Sequence, residues 1–315
     1  MITKFLDPRN DLAFKRIFGT VRNSDILIHF LNDILELKQD PIKTVTFLKV
    51  NQDPVIAAER QSIVDVMCED EKNNKFIIEM QLSRESGFIK RAQYYASKTY
   101  INQRDEGVAY KDLQNVRFLA IYDETLFYKK PGYISHHEMR DIKTQENDLD
   151  SFKFVFLELS KFTNTVENLK NLTEKWAYFF KHATETTEED LAQIVGADSI
   201  IEKAYKELDR FGWSKEDLME YDAVDMKIES IRDGMEGSFS EGMEKGEAIG
   251  IEKGEAIGME KGREEGREEA DTIRVRKTVL NMHKLGIDID IISKTTELTG
   301  ETIEKIIKEK PSEDE

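Results

Sequence analysis

A small residue recurs at every fourth position from Gly234 to Ala270: Gly234, Ser238, Gly242, Gly246, Gly250, Gly254, Gly258, Gly262, Gly266 and Ala270. A four-residue step advances about 400° around a helix of 3.6 residues per turn, so the stripe drifts by about 40° per repeat. Helices that follow such a stripe wind right-handed around one another. Within it the octad EKGEAIGI is followed at once by EKGEAIGM, across residues 244–259. Each interior glycine costs a helix about 0.8–1.0 kcal/mol relative to alanine, so a lone helix of this composition needs compensation. Two readings stand. One is close backbone contact between two or more chains along the stripe, as small-xxx-small patterns permit in membranes, here with Glu, Lys and Arg flanks suited to water. The other is an acidic, partly helical linker. The segment has no GK[ST] sequence and no preceding strand, which argues against a phosphate-binding loop.

The charge is unevenly placed. The 315 residues carry 46 Lys+Arg and 63 Asp+Glu, a net charge of −17; residues 1–140 sum to +1 and residues 141–315 to −18. The front half is therefore the better place for a surface that approaches a polyanion. One cysteine, Cys68, excludes an internal disulfide framework. The five scattered histidines (His29, His136, His137, His182, His283) give no zinc spacing. No apolar run reaches the roughly 18–20 residues of a membrane span, and Met1–Pro8 lacks a secretory apolar stretch. These features predict a soluble chain in a reducing, cytoplasmic compartment with no membrane partner.

Hydrophobic spacing predicts two opening helices, from Asn10 to about Gly19 and from about Asp25 to Leu37. Three strand-like runs follow, Thr44–Val50, Ser62–Cys68 and Lys75–Leu82, the last two forming a hairpin through Glu69–Asn74. A long helix from Glu85 to about Gln103 leads to a buried strand, Asn115–Tyr122, giving the order α-α-β-β-β-α-β of an α/β core. A further strand, Phe152–Leu159, and helices at about Val166–Lys181, Glu188–Val195 and Ile200–Phe211 complete the globular part. Beyond the repeat, Thr272–Leu285, Asp290–Lys294 and Glu301–Lys310 read as short helices. A helix-turn-helix is one reading of that tail, but residues 271–310 sum to only +1, a poor balance for phosphate contact.

Two acidic residues stand where the pattern calls for apolar ones. Asp65 interrupts Ile63-Val64-Asp65-Val66-Met67-Cys68, and Glu79 interrupts Phe76-Ile77-Ile78-Glu79-Met80-Gln81-Leu82. Strand alternation puts Glu79 and Gln81 on one face, and the hairpin can bring Asp65 beside them. Adjacent carboxylates raise each other's pKa unless a cation lies between them, and an oxygen donor set of this kind suits Mg²⁺ or Mn²⁺. The same residues also fit a strand-edge pair facing solvent.

Asp65 followed by Glu79-Met80-Gln81 resembles the core of the PD-(D/E)XK nuclease superfamily. The blocks NDLAFKRIFG, RQSIVDVMCED, FIIEMQLS, RAQYYASKTY and FVFLELSKF, in that order, resemble the bacterial recombination-promoting nuclease (Rpn) and transposase family. The resemblance covers residues 7 to 165, and the glycine repeat with its helical tail is also typical of that family. It implies a restriction-endonuclease-like α/β core with a mixed central sheet flanked by helices, followed by an all-α extension. It further implies that Asp65, Glu79 and the backbone carbonyl of Met80 hold Mg²⁺ or Mn²⁺. Gln81 stands where the superfamily has lysine; glutamine can orient a water but brings no positive charge. Lys90, Arg91 or Lys98 on the following helix can return a cation to the site, and Lys15 with Asp11 on the first helix borders the cleft. Tyr94, Tyr95 and Tyr100 read as core or rim.

The domain reading is a nuclease-like core at 1–165, a helical extension at 166–233, the repeat at 234–270 as a self-association helix or linker, and a small helical tail at 271–315. The function that follows is a metal-dependent deoxyribonuclease, a DNA endonuclease associated with recombination or mobile elements, working as a homodimer or larger homo-oligomer through the repeat. The glutamine and the charge of −17 leave open a second reading, a weak or inactive nuclease fold that acts as an oligomeric interaction module.

Overall fold

A computed structural model describes residues 3–48 and 64–309. The chain divides into two compact units, Met1–Arg232 and Asp233–Glu315. Among the described residues no helix is long and apolar enough to cross a membrane.

The first unit opens with α1 (Asp11–Phe18), whose N-terminus is capped by the Asn10 side chain accepting from the Leu12 amide, and α2 (Ser24–Ile34). Apolar residues at helical spacing give each a fully buried face, Phe14, Ile17 and Phe18 on α1 and Ile26, Leu27, Phe30 and Leu31 on α2. The strands are β1 (Val45–Phe47), β2 (Val66–Asp70), β3 (Lys75–Gln81), β4 (Val116–Tyr122), β5 (Ile134–Glu138) and β6 (Phe152–Glu158). They form one mixed sheet in the order β1-β2-β3-β4-β6-β5. β1, β2 and β3 run antiparallel as a meander, β3, β4 and β6 are parallel, and β5 returns antiparallel on β6. The parallel step from β3 to β4 requires a crossover, supplied by α3 (Phe88–Asp105). Gly87 at its start has φ of 96°, a left-handed conformation that glycine takes at no steric cost.

Alternation along the strands sorts the core onto two faces. Cys68, Phe76, Ile78, Leu119, Ile121, Val155 and Leu157 pack with α1, α2, α4 (Leu172–His182) and α6 (Ser199–Leu208). Ile77, Val116, Phe118, Ala120, Tyr122 and Phe156 pack against Phe88, Ala92 and Ala96 of α3. Aromatic side chains dominate the first cluster: Phe18, Phe30, Trp176 and Phe180 meet with ring centroids 5.1–5.9 Å apart. Helices α4, α5 (Glu188–Val195) and α6 share this core with α1 and α2, so the segment after residue 165 belongs to the same packed body.

Several element boundaries differ from the sequence expectation for identifiable reasons. The helix expected from Val166 starts at Leu172, because the Asn171 side chain caps it by accepting from the Glu174 amide; Val166–Asn168 is only a 3-10 turn. The helix expected to reach Phe211 ends at Leu208, where the Asp209 side chain takes the Phe211 amide and redirects the chain into another 3-10 turn. Strand β5 was not expected: Ile134–Glu138, ISHHE, has no clear alternation and owes its form to pairing with β6. Ser62 and Ile63 of the expected second strand, and Lys49 and Val50 of the first, lie outside the described residues, as does Lys310.

The helix α7 (Lys215–Lys284) is continuous through the repeat, so Thr272–Leu285 is not a separate element. Every residue of 236–274 is exposed. In the second unit α7 ends at Lys284, just before Gly286 (φ 78°), and is followed by α8 (Ile289–Thr296) and α9 (Gly300–Lys308), closed by Val279, Ile292 and Ile303.

Candidate active site

The hairpin sets the site. Val66 pairs with Ile78, and at the next position Asp65 leaves the ladder in a bend, with its Oδ2 accepting from the Met80 amide at 2.7 Å. The carboxylate thus takes the place of a missing ladder partner at the end of β2. Gln81 turns its carbonyl the other way, toward the Asp123 amide beyond β4 (2.9 Å). By strand alternation the Met80 carbonyl, like its amide, faces the Asp65 side.

Glu79 lies mid-strand, 5% exposed, on the α3 face of the sheet. Its Oε1 accepts from an Arg91 guanidinium nitrogen at 2.6 Å, and the same nitrogen donates to Gln81 Oε1 at 2.8 Å. Arg91 pairs through its other terminal nitrogen with Glu85 and lies 5.2 Å from the Phe88 ring centroid. Gln81 Nε2 donates to the Ser83 carbonyl at 3.0 Å, so both ends of that amide are engaged. Glu79 Oε2 is buried without a partner among the described residues.

The electrostatics follow from burial. Desolvation pushes the Asp65 carboxyl up to about 7; the Met80 amide opposes this, the charges of Asp11 and Glu79 add to it, and Lys15 offsets part. Burial also raises Glu79, against the pull of Arg91. Arg91 stays protonated because Glu79 and Glu85 outweigh its own desolvation. Lys15 pairs with Asp11 at 2.7 Å on α1, and both act on Asp65 through their charges.

Asp65, Glu79, Met80, Gln81 and Arg91 therefore meet at one end of the β2–β3 hairpin, with Asp11 and Lys15 bordering it. Lys90 is exposed on α3. Lys98 is half-buried, two turns along that helix from Arg91 and on its side. Sequence reading missed Glu85, whose contact with Arg91 depends on how the loop between β3 and α3 folds back. It also missed the Tyr122 hydroxyl, which accepts from the Glu85 amide at 3.4 Å. Their only sequence signal is position, one at the end of a buried strand and one just ahead of a helix.

Among the described residues no three His, Cys, Asp or Glu side chains close around a point. Two carboxylates and a carbonyl nevertheless suit a hard cation such as Mg²⁺, which characteristically takes one or two carboxylates and leaves its other positions to water and substrate phosphate. The unpartnered, buried Glu79 Oε2 fits that donor set, since an orphaned carboxylate oxygen is otherwise costly.

A family model described as PD-(D/E)XK nuclease family transposase matches residues 8–233, ending where the first compact unit ends. No curated protein and no solved structure gives a significant match.

Proposed function

Because this chain belongs to the PD-(D/E)XK nuclease family transposases, we propose that it is a divalent-metal-dependent DNA endonuclease that hydrolyses phosphodiesters in recombination or mobile-element biology. The observation that carries this reading is Arg91, whose one nitrogen joins Glu79 Oε1 and Gln81 Oε1 and so places a cation beside the carboxylate pair. In this reading Asp65, Glu79 Oε2 and the Met80 carbonyl hold Mg²⁺ or Mn²⁺. A bound divalent cation supplies Lewis-acid polarisation of the scissile phosphate and activation of water.

The chain's own residues do the rest. Arg91 stands in for the superfamily lysine, offering its guanidinium to phosphate oxygens as negative charge builds. Gln81 acts as a positioning residue, because its amide is already spent on Arg91 and Ser83 and so fixes the fork. Glu85 holds the other arm of the fork from the loop. Lys15, whose charge acts on Asp65, is in this reading a contact for the substrate backbone.

The test moves the cation. Arg91→Ala is expected to lose metal-dependent plasmid cutting, and Arg91→Ala combined with Gln81→Lys to regain part of it. Full cutting by Arg91→Ala would remove Arg91 from the mechanism.

We further infer self-association through the repeat. A side chain at each of Gly242, Gly246, Gly250, Gly254 and Gly258 would meet nothing within 4 Å, and Phe239, Met243, Ile249, Ile251, Ile257 and Met259 are 51–72% exposed. An isolated helix gains nothing from such a stripe, whereas a second backbone laid along it does. Sedimentation of a variant lacking residues 234–270 as the same species as the full chain would sink this.

A further inference from the structure

The loop after β4 (residues 123–131) is built more firmly than an ordinary connection. Glu158 at the end of β6 is fully buried, and its Oε1 accepts from the amides of Leu126 and Phe127 at 2.6 and 2.9 Å. Lys161 pairs with Glu158 Oε2 at 2.8 Å and donates to the carbonyls of Phe127 and Lys130 at 2.7 and 2.9 Å. A buried ion pair is therefore engaged with four backbone groups of one surface loop. That loop presents Tyr128, 68% exposed, followed by exposed Lys129 and Lys130. The Arg84 guanidinium from the β3–α3 loop lies 5.5 Å from the Tyr128 ring centroid. The next residue, Glu85, holds Arg91 by its side chain and Tyr122 by its amide. An exposed aromatic ring on a tied-down loop thus lies beside Arg84, the residue that precedes Glu85 of the candidate active site; Glu124 is the exposed acid on the same loop.

We propose that Arg84 and Tyr128 form a clamp for unpaired nucleotides beside the scissile phosphate, so that the preferred substrate is DNA with a single-stranded segment. Every base offers a face for stacking on an aromatic ring or a guanidinium plane, and base pairing in an intact duplex denies that face to the ring. Exposed Lys129 offers a cation to the backbone of the same strand, while Lys130 Nζ lies 3.3 Å from His137 Nε2 and 5.1 Å from the Phe127 ring centroid. The proposal rests on the nuclease reading for the identity of the neighbouring site.

The experiment measures binding apart from cleavage. Fluorescence anisotropy at low salt in EDTA compares a labelled single-stranded oligonucleotide with a hairpin duplex of the same length. The wild type is expected to bind the single strand more tightly. Tyr128→Ala should weaken that binding by roughly five- to hundredfold, the range for one lost base–aromatic stack. Tyr128→Phe should keep it, and duplex binding should be unchanged in both. Thermal unfolding of the exposed-site variants serves as the check on folding. Equal binding of single strand by wild type and Tyr128→Ala, or a wild-type preference for duplex, overturns the clamp. If no DNA is cut in a separate assay with Mg²⁺ while the strand preference and its dependence on Tyr128 persist, the clamp stands and the nuclease reading falls.

Discussion

Replacing Asp65 with asparagine is expected to stabilise the metal-free protein at neutral pH while abolishing metal-dependent cleavage. In the fold the Asp65 carboxyl is pushed up to about 7 from an ordinary 3.8, chiefly by burial. The folded state therefore holds the proton more tightly than the unfolded one, and stability is lost as pH rises from about 3.8 to about 7 and is level above. At about 1.36 kcal/mol for each pKa unit the ceiling is about 4 kcal/mol, and the residual solvent contact of Asp65 brings the expected penalty to about 2 kcal/mol. Asparagine keeps an oxygen for the Met80 amide and carries no charge. Urea unfolding in EDTA should show Asp65→Asn more stable than wild type by about 2 kcal/mol at pH 8, with roughly half that gain at pH 5.5. Adding Mn²⁺ should raise the wild type and leave the variant unmoved, by the linkage between binding and stability. A loss of stability in Asp65→Asn at pH 8 in EDTA would refute the reasoning, since it would make the carboxylate a structural tie instead of a site held at a cost.

Other perturbations test neighbouring parts of the account. Arg91→Ala removes the ion-pair partner of Glu79 and should destabilise the fold by about 2–4 kcal/mol in urea unfolding, with Arg91→Lys losing less. His29 lies 3.0 Å from Asp33 and 3.2 Å from Asp198; burial opposes its charge, but the two carboxylates outweigh it and raise its pKa. The stability it contributes should be fully present below about 6.5 and fall as pH rises through the folded-state value, a decline absent from His29→Gln in pH-dependent thermal melts. Gly250→Ala with Gly258→Ala should favour the helix by about 0.8–1.0 kcal/mol at each site while weakening self-association, so circular dichroism and sedimentation should move in opposite senses. Unchanged sedimentation would count against the stripe as an interface.

Much of the candidate site was legible because charge inside an apolar strand is expensive, which singled out Asp65 and Glu79 as candidates without any structure. The α/β order was equally legible, from helical spacing in α1 and α2 and β-branched runs in β2 to β4. The choice among Lys90, Arg91 and Lys98 was not, because all three lie on one helix and only its rotation against β3 turns Arg91 onto Glu79 and Gln81. A glutamine at position 81 can orient a water, but the structure gives both of its polar atoms protein partners, a consequence of loop geometry that spacing does not encode. Strand β5 stayed hidden because it is made by its neighbour β6 and not by its own pattern.

The central claim is that the Asp65–Glu79 pair works as a metal-dependent nuclease centre. Its most direct test is conversion of supercoiled plasmid to nicked and linear forms at low salt, for wild type and Glu79→Gln, with Mg²⁺, Mn²⁺ or EDTA. The account predicts cutting by wild type with either metal, none in EDTA, and none by Glu79→Gln under any condition. Cutting that persists in EDTA, or that Glu79→Gln retains, would contradict it.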